Sequence, residues 1–267
     1  MYWKKTMLLG IIAFFFIPFI CRGAESNWQI GLEPSFSSGD YGTDSDTDIT
    51  YIPLTLSRSF EDGDLSLTIP YIHMESAGGV SVIGGTPNRI EKGRRGTVVS
   101  SSGKTTEKGL GDILLQGRYY VLEEGDFAPL IAVTGLIKFP TADEDKGLGT
   151  GKTDAGFGFE CSKTLAAKWL GLFDLGYTFI GEPSGFDLRD QWYYDFGLGY
   201  YLNEDILISG YYEEWRSLIA GESNPRDLFF TVNYQFSSEI AFTAGMLFGL
   251  SDGAPDFGLS GGIRVSF

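Results

Sequence analysis

From residue 27 to the C-terminus the chain is written largely in alternation. In 191–202 (QWYYDFGLGYYL) Trp192, Tyr194, Phe196, Leu198, Tyr200 and Leu202 share one face, with Asp195, Gly197 and Gly199 on the other. In 227–236 Leu228, Phe230, Val232, Tyr234 and Phe236 alternate with Phe229, Thr231, Asn233 and Gln235; 240–250 repeats the pattern through Ile240, Phe242, Ala244, Met246, Phe248 and Leu250. Period-two alternation predicts strands with two unlike faces. The predicted strands are 27–38, 48–60, 65–76, 109–122, 129–141, 154–165, 169–181, 191–203, 205–217, 226–237, 240–251 and 257–267, twelve in all. An even number of roughly ten-residue segments separated by turn residues is the signature of a transmembrane antiparallel up-and-down β-barrel. Alternate connections are short (EDGD, EEGDFA, AAK, NED and SSE) and the others are longer on average, the longest spanning residues 77–108. That asymmetry matches short periplasmic turns and longer outer loops, with both termini in the periplasm.

The last strand is the sharpest single signal. FGLSGGIRVSF ends on Phe267, with Val265, Ile263, Leu259 and Phe257 on its face. An aromatic C-terminal residue on an alternating strand resembles the terminal signal of outer-membrane barrels, read by the barrel assembly machinery. A soluble β-sandwich or lipocalin-like barrel also alternates. It turns its apolar face inward, however, and has little use for Phe, Tyr and Trp on strand after strand. The apolar face is therefore assigned to lipid.

The first residues change the compartment. Lys4 and Lys5 precede an almost wholly apolar run, 6–20, and then Arg22-Gly23-Ala24. This is the layout of a secretory signal peptide, expected to be removed after Gly23, which leaves 24–267 as the barrel. The run is shorter than the ~20 residues a spanning helix needs. With Cys21 in the leader, Cys161 is the one cysteine left, so no intramolecular disulfide is expected. The chain carries a net charge of −15, and three of its cations lie in the leader. An acidic chain of this kind argues against nucleic acid as a partner.

If one face meets lipid, the other lines the interior. Strand parity places Glu33, Asp112, Gln116, Arg118, Lys138, Glu160, Asp174 and Asp195 inside, together with Tyr51, Tyr120, Tyr193 and Tyr201. A charge facing lipid near the midplane costs about 2–4 kcal/mol, which enforces that partition. Inward charges either pair off to fill a small barrel or line a path for a small solute. Inward glycines (31, 156, 158, 176, 197, 199, 245 and 249) favour space over filling, or relieve strand curvature.

Other constellations carry less. Asp44, Asp46 and Asp48 begin like a calcium loop, but Ile49 stands where Gly is required and Thr55 where Glu is. The single histidine, His73, has Ser76 on the opposite face by parity, which separates base from nucleophile. Loop 77–108 is net basic through Arg89, Lys92, Arg94, Arg95, Lys104 and Lys108, a surface suited to lipopolysaccharide phosphates or to anions. Gly151-Lys152-Thr153 imitates the tail of a nucleotide-binding P-loop. The first glycine that motif needs falls on Lys146, and no helix is predicted to follow.

From Gly109 onward the order GLGDILLQGRYY, FPTADEDKGLGTGKTD and FECSKTL resembles the outer-membrane family of the meta-pathway of phenol degradation, often labelled as transporters. The resemblance rests on Gly109, Gly111 and Asp112, on Pro140 and Thr141, on Gly149 and Gly151 with Asp154, and on Ser162-Lys163. Ala142 stands where the family usually has Gly. Upstream, YIPLTLSRSFEDGDLSLTIPYI looks like the family's paired strands around a short turn. The resemblance implies an outer-membrane barrel admitting aromatic or other hydrophobic compounds, without catalytic residues. The expectation is thus a channel or facilitator for small solutes in the bacterial outer membrane, in contact with its lipid and lipopolysaccharide, with no cofactor or metal. A non-conducting surface barrel that binds a ligand or envelope partner through its outer loops is the second reading, and an outer-membrane lipid hydrolase the third.

Overall fold

The computed structural model describes residues 28–90 and 103–267; residues 1–27, which include the expected signal peptide, and residues 91–102 lie outside the described residues. In chain order the strands are β1 (Trp28–Leu32), β2 (Ser35–Gly39), β3 (Thr47–Phe60), β4 (Gly63–Ser76), β5 (Val80–Ile83), β6 (Thr86–Arg89), β7 (Thr105–Leu110) and β8 (Ile113–Leu122). They continue as β9 (Leu130–Phe139), β10 (Asp154–Ala166), β11 (Trp169–Phe179), β12 (Gln191–Tyr201), β13 (Ile206–Trp215), β14 (Arg226–Gln235), β15 (Ile240–Gly249) and β16 (Phe257–Ser266). All except β5 and β6 belong to one antiparallel sheet, closed where β16 pairs with both β1 and β2.

Twelve staves make the wall, because two of them are interrupted. β1 and β2 share the partners β3 and β16 and form the first stave, broken at Glu33-Pro34. Pro34 has no N–H to give the ladder. β7 and β8 both pair with β4 and form the fourth, broken at Gly111-Asp112. That stave begins at Thr105, four residues before the predicted 109; the other predicted boundaries agree within two residues. At the seam Phe267 and Trp28 exchange backbone hydrogen bonds of 2.9 and 3.3 Å, so the terminal residue closes the barrel.

The outward face is apolar over every stave: Leu54, Ile69, Val133, Leu175, Leu198, Val232, Met246 and Ile263 are all exposed. A monomer in water does not leave so continuous an apolar band uncovered, whereas a bilayer covers it. Aromatic side chains cluster at both rims, as interfacial belts do. At the short-turn end the Arg58 guanidinium lies over Trp28 and Phe60 at 5.2 and 5.1 Å, and Trp169 packs on Tyr200 at 4.8 Å.

The longest connection carries structure that alternation alone does not announce. β5 and β6 pair as a hairpin, and Val80, Ser81, Val82, Ile83 and Asn88 are all buried. The hairpin packs with Tyr41, Ile49, Tyr51, Ile72, Met74 and Leu148, whose wall members face inward. It therefore sits inside the barrel at the long-loop end.

Candidate functional site

The site is the lumen, and its construction begins with glycine. A Cβ on Gly176 would lie 2.3 Å from the Tyr193 ring, one on Gly197 2.5 Å from the Tyr211 ring, and one on Gly245 2.8 Å from the Phe229 ring. Each ring occupies the place of a missing neighbouring side chain. The rings are laid along the wall, and Tyr193 stacks on Trp215 with centroids 4.4 Å apart.

The eight predicted interior residues lie on the wall strands or at their breaks. Seven are buried, and Gln116 is half-buried. The structure sorts the charged ones into three ion-paired groups and one group without cations. At the break in the first stave, Glu33 accepts a 2.6 Å hydrogen bond from Arg264; the Glu33 side chain crosses Gly262, where any Cβ would collide with it. Arg118 bridges Asp64 at 3.2 Å and Glu160 at 2.8 Å. Lys138, fully buried, lies between Asp112 at 3.0 Å and Asp154 at 2.9 Å, and its third ammonium hydrogen reaches the Thr150 hydroxyl at 2.8 Å.

Around Lys138 the glycine-rich motif residues come together. The Thr141 hydroxyl donates to the Gly111 carbonyl and accepts from the Ile113 N–H, both at 3.0 Å, and so patches the break in the fourth stave. Asp112 accepts from the Ala142 N–H at 2.9 Å, and Asp154 from the Gly181 N–H at 2.8 Å. Gly149 packs so tightly on Asp112 that a Cβ there would lie 2.7 Å from its carboxylate; Gly151 takes φ +64° beside Glu144. Gly109 rests on Leu148, and Pro140 ends the ladder of β9. Loop 140–153 is thereby folded into the mouth, with Leu148 inside. The Gly151-Lys152-Thr153 segment leads into β10, not into a helix.

The fourth group forms no salt bridge, although Arg118, which bridges Glu160, acts on Asp174 from a longer distance. Asp174, Asp195, Glu213 and Asp227 are register neighbours on β11–β14, side by side on the inward face. Among the described residues none of the four has a cation within salt-bridge distance. Alternation did not single out Glu213 because Tyr211-Tyr212-Glu213-Glu214 is alike on both faces. Asp64 and Asp227 stand at strand ends, where parity is least constrained. Arg264 was readable, since Ile263 and Val265 flank it.

Elsewhere the sequence candidates separate. His73 faces outward beside Glu75 at 3.6 Å, whereas Ser76 is buried on the inner face and bonded to Thr47 at 2.8 Å. Asp48 accepts hydrogen bonds from Ser38 at 2.6 Å and Lys104 at 3.1 Å. Of the basic loop residues, Lys92, Arg94 and Arg95 lie outside the described residues. Arg89 pairs with Glu222 at 2.9 Å and also donates to the Gly42 carbonyl, tying the inner hairpin to two outer loops. The hairpin is further held by Gln191 on Asn88 at 3.2 Å and by Ser81 on the Gly147 carbonyl at 2.8 Å.

Comparison with known proteins follows the same lines. Residues 33–267 match the family described as "Putative MetA-pathway of phenol degradation". Among solved structures, the COG4313 outer membrane channel from Pseudomonas putida F1 is similar at a TM-score of 0.65 and 15% identity, covering 95% of this chain and 100% of that one. The KdgM porin is similar at a TM-score of 0.52 and 8% identity, with 90% and 99% covered. For the NanC porin the values are 0.52 and 13%, with 89% and 98% covered. A search of curated protein sequences finds no match. The closed twelve-stave barrel, its lipid-facing band and these likenesses of fold place the chain in the bacterial outer membrane.

Proposed function

The chain belongs to this outer-membrane family, and from that premise we propose that it is a channel for small solutes. The observation that carries the reading is the lining. Aromatic rings are recessed over glycines along the wall, and the charged side chains between them face inward rather than into lipid. A barrel built only to be filled has no need to clear ring after ring from its axis. The names of the similar folds, a channel and two porins, support the same reading.

Whatever passes must go by the hairpin of β5 and β6 and by loop 140–153, both folded into the mouth. That sets a small solute as the substrate class. Purified protein in a planar bilayer is expected to give resolvable single-channel currents, and proteoliposomes are expected to swell in small sugars or amino acids. Absence of both current and swelling, in protein whose gel migration still shifts on boiling, sinks the proposal. The hydrolase reading draws no support from the geometry, because His73 and Ser76 lie on opposite faces of β4.

A further inference from the structure

Three cations in the wall, Arg118, Lys138 and Arg264, are consumed by five carboxylates, Asp64, Glu160, Asp112, Asp154 and Glu33. Asp174, Asp195, Glu213 and Asp227 are left over, and they are adjacent. The Asp174 and Asp195 carboxyls are within hydrogen-bonding reach of one another, and so are those of Glu213 and Asp227. Like charges at that spacing repel, so the row demands positive charge, either a proton within a pair or a bound cation.

The surroundings bear on which of these it is. One register step toward the long-loop end stand Tyr193 and Trp215; one step toward the other end stand Tyr211 and Phe229. The carboxylates are thus enclosed between two aromatic rows. Ring faces carry negative potential, so this lining suits an organic cation better than it suits any anion or neutral solute. Where the row meets the hairpin there is a cavity of about 30 Å³, lined by Glu213, Asp227, Trp215 and Phe229 on the wall and by Thr86 and Pro87 on the hairpin. A water molecule needs roughly 10–15 Å³ by this measure, so the space takes a group the size of an ammonium head and not a benzene ring. Asp227, only 5% exposed, lines the cavity, and its Oδ1 has no hydrogen-bond partner. Among the described residues no three acidic, His or Cys side chains converge as metal ligands do.

We propose that this wall binds a primary ammonium cation, its N–H groups donating to Glu213 and Asp227 and its charge lying between the Trp215 and Phe229 rings. The site rests on the channel reading for its purpose, since it would make the solute class cationic, but its occupancy can be measured without conduction.

The experiment is titration calorimetry of the refolded barrel in detergent with methylammonium chloride, against sodium chloride at equal ionic strength. Saturable binding of methylammonium is expected, weakened about tenfold in Glu213→Gln and in Asp227→Asn, as loss of one charge-assisted contact implies. Asp62→Asn, on an exposed short turn, should bind as the parent does. No saturable heat from the parent protein, or an affinity in both carboxamide variants equal to the parent's, overturns the site. If either variant loses its heat-dependent gel shift, Asp195→Asn is read in its place, with a smaller weakening expected. A bilayer arm separates the two proposals. Protein that binds methylammonium and passes no current keeps the site and removes the channel; protein that conducts and does not bind removes the site alone.

Discussion

At the outer ends of β8, β9 and β10, two buried carboxylates enclose one lysine, both within ion-pair distance, and the Thr150 hydroxyl accepts a hydrogen bond from it. On β11–β14, four carboxylates stand in a row that forms no salt bridge among the described residues; Arg118, already bridging Asp64 and Glu160, acts on Asp174 alone and from a longer distance. Both clusters lie on the inner face of the same wall and are built around buried carboxylates. The difference is saturation. A buried charge whose partners are all present is a structural part, and removing one member leaves the others stranded. A row with capacity left over costs stability while it is empty, and is relieved by whatever positive charge reaches it.

The comparison breaks most visibly at Lys138. Replacing it with Met leaves Asp112 and Asp154 buried and unpaired, and should cost about 3–5 kcal/mol. The expected result is a urea unfolding midpoint well below the parent's, with loop 140–153 newly open to protease. A parent-like midpoint would mean that the lysine is not what holds the loop. Gly176→Ala ranks next, because its new Cβ meets the Tyr193 ring, and overpacking of this kind costs about 1–3 kcal/mol. Denaturant melts measure it, and the second change Tyr193→Ala should recover part of the loss. Thr141→Val strands the Gly111 carbonyl and the Ile113 N–H, at about 1–3 kcal/mol. Exchange protection of the Ile113 amide should fall with it.

The smallest change in stability is the most telling one. Asp195→Asn removes one anion from the unpaired row, so it should leave the unfolding midpoint unchanged or raise it. A large loss there would show that the row is a structural network like the Lys138 cluster. Arg89→Ala touches only the tether of the hairpin, a half-exposed pair worth at most about 1 kcal/mol. Its expected mark is in the bilayer, as longer open times, with no change in the melt.

Much of this wall is legible in the chain itself. Alternation from Trp192 to Leu202, or from Leu228 to Phe236, identifies strand and face together, because lipid tolerates no error of parity. The glycine motif resembles the family's pattern in the sequence, but its purpose is not written there. That Gly149 makes room for Asp112, and that Thr141 completes a broken stave, depends on residues about thirty positions away in the chain. The hairpin of β5 and β6 was hidden for a related reason. Val80, Val82 and Ile83 are buried by inward-facing residues of the wall, and a strand covered on both faces need not alternate.

The barrel was already written in the order of residues: the number of staves, the face each turns to lipid, and the closing residue Phe267. Those follow from a local period of two and from the uniform cost of polar groups in hydrocarbon. Which interior charges are spent on one another, and which remain, emerges with the folded barrel alone. Pairing requires distances of about 3 Å between side chains far apart in sequence. Barrel closure and the two inward-folded loops set those distances, bringing Lys138 to Asp112 and Asp154 and leaving Asp174, Asp195, Glu213 and Asp227 without an ion pair.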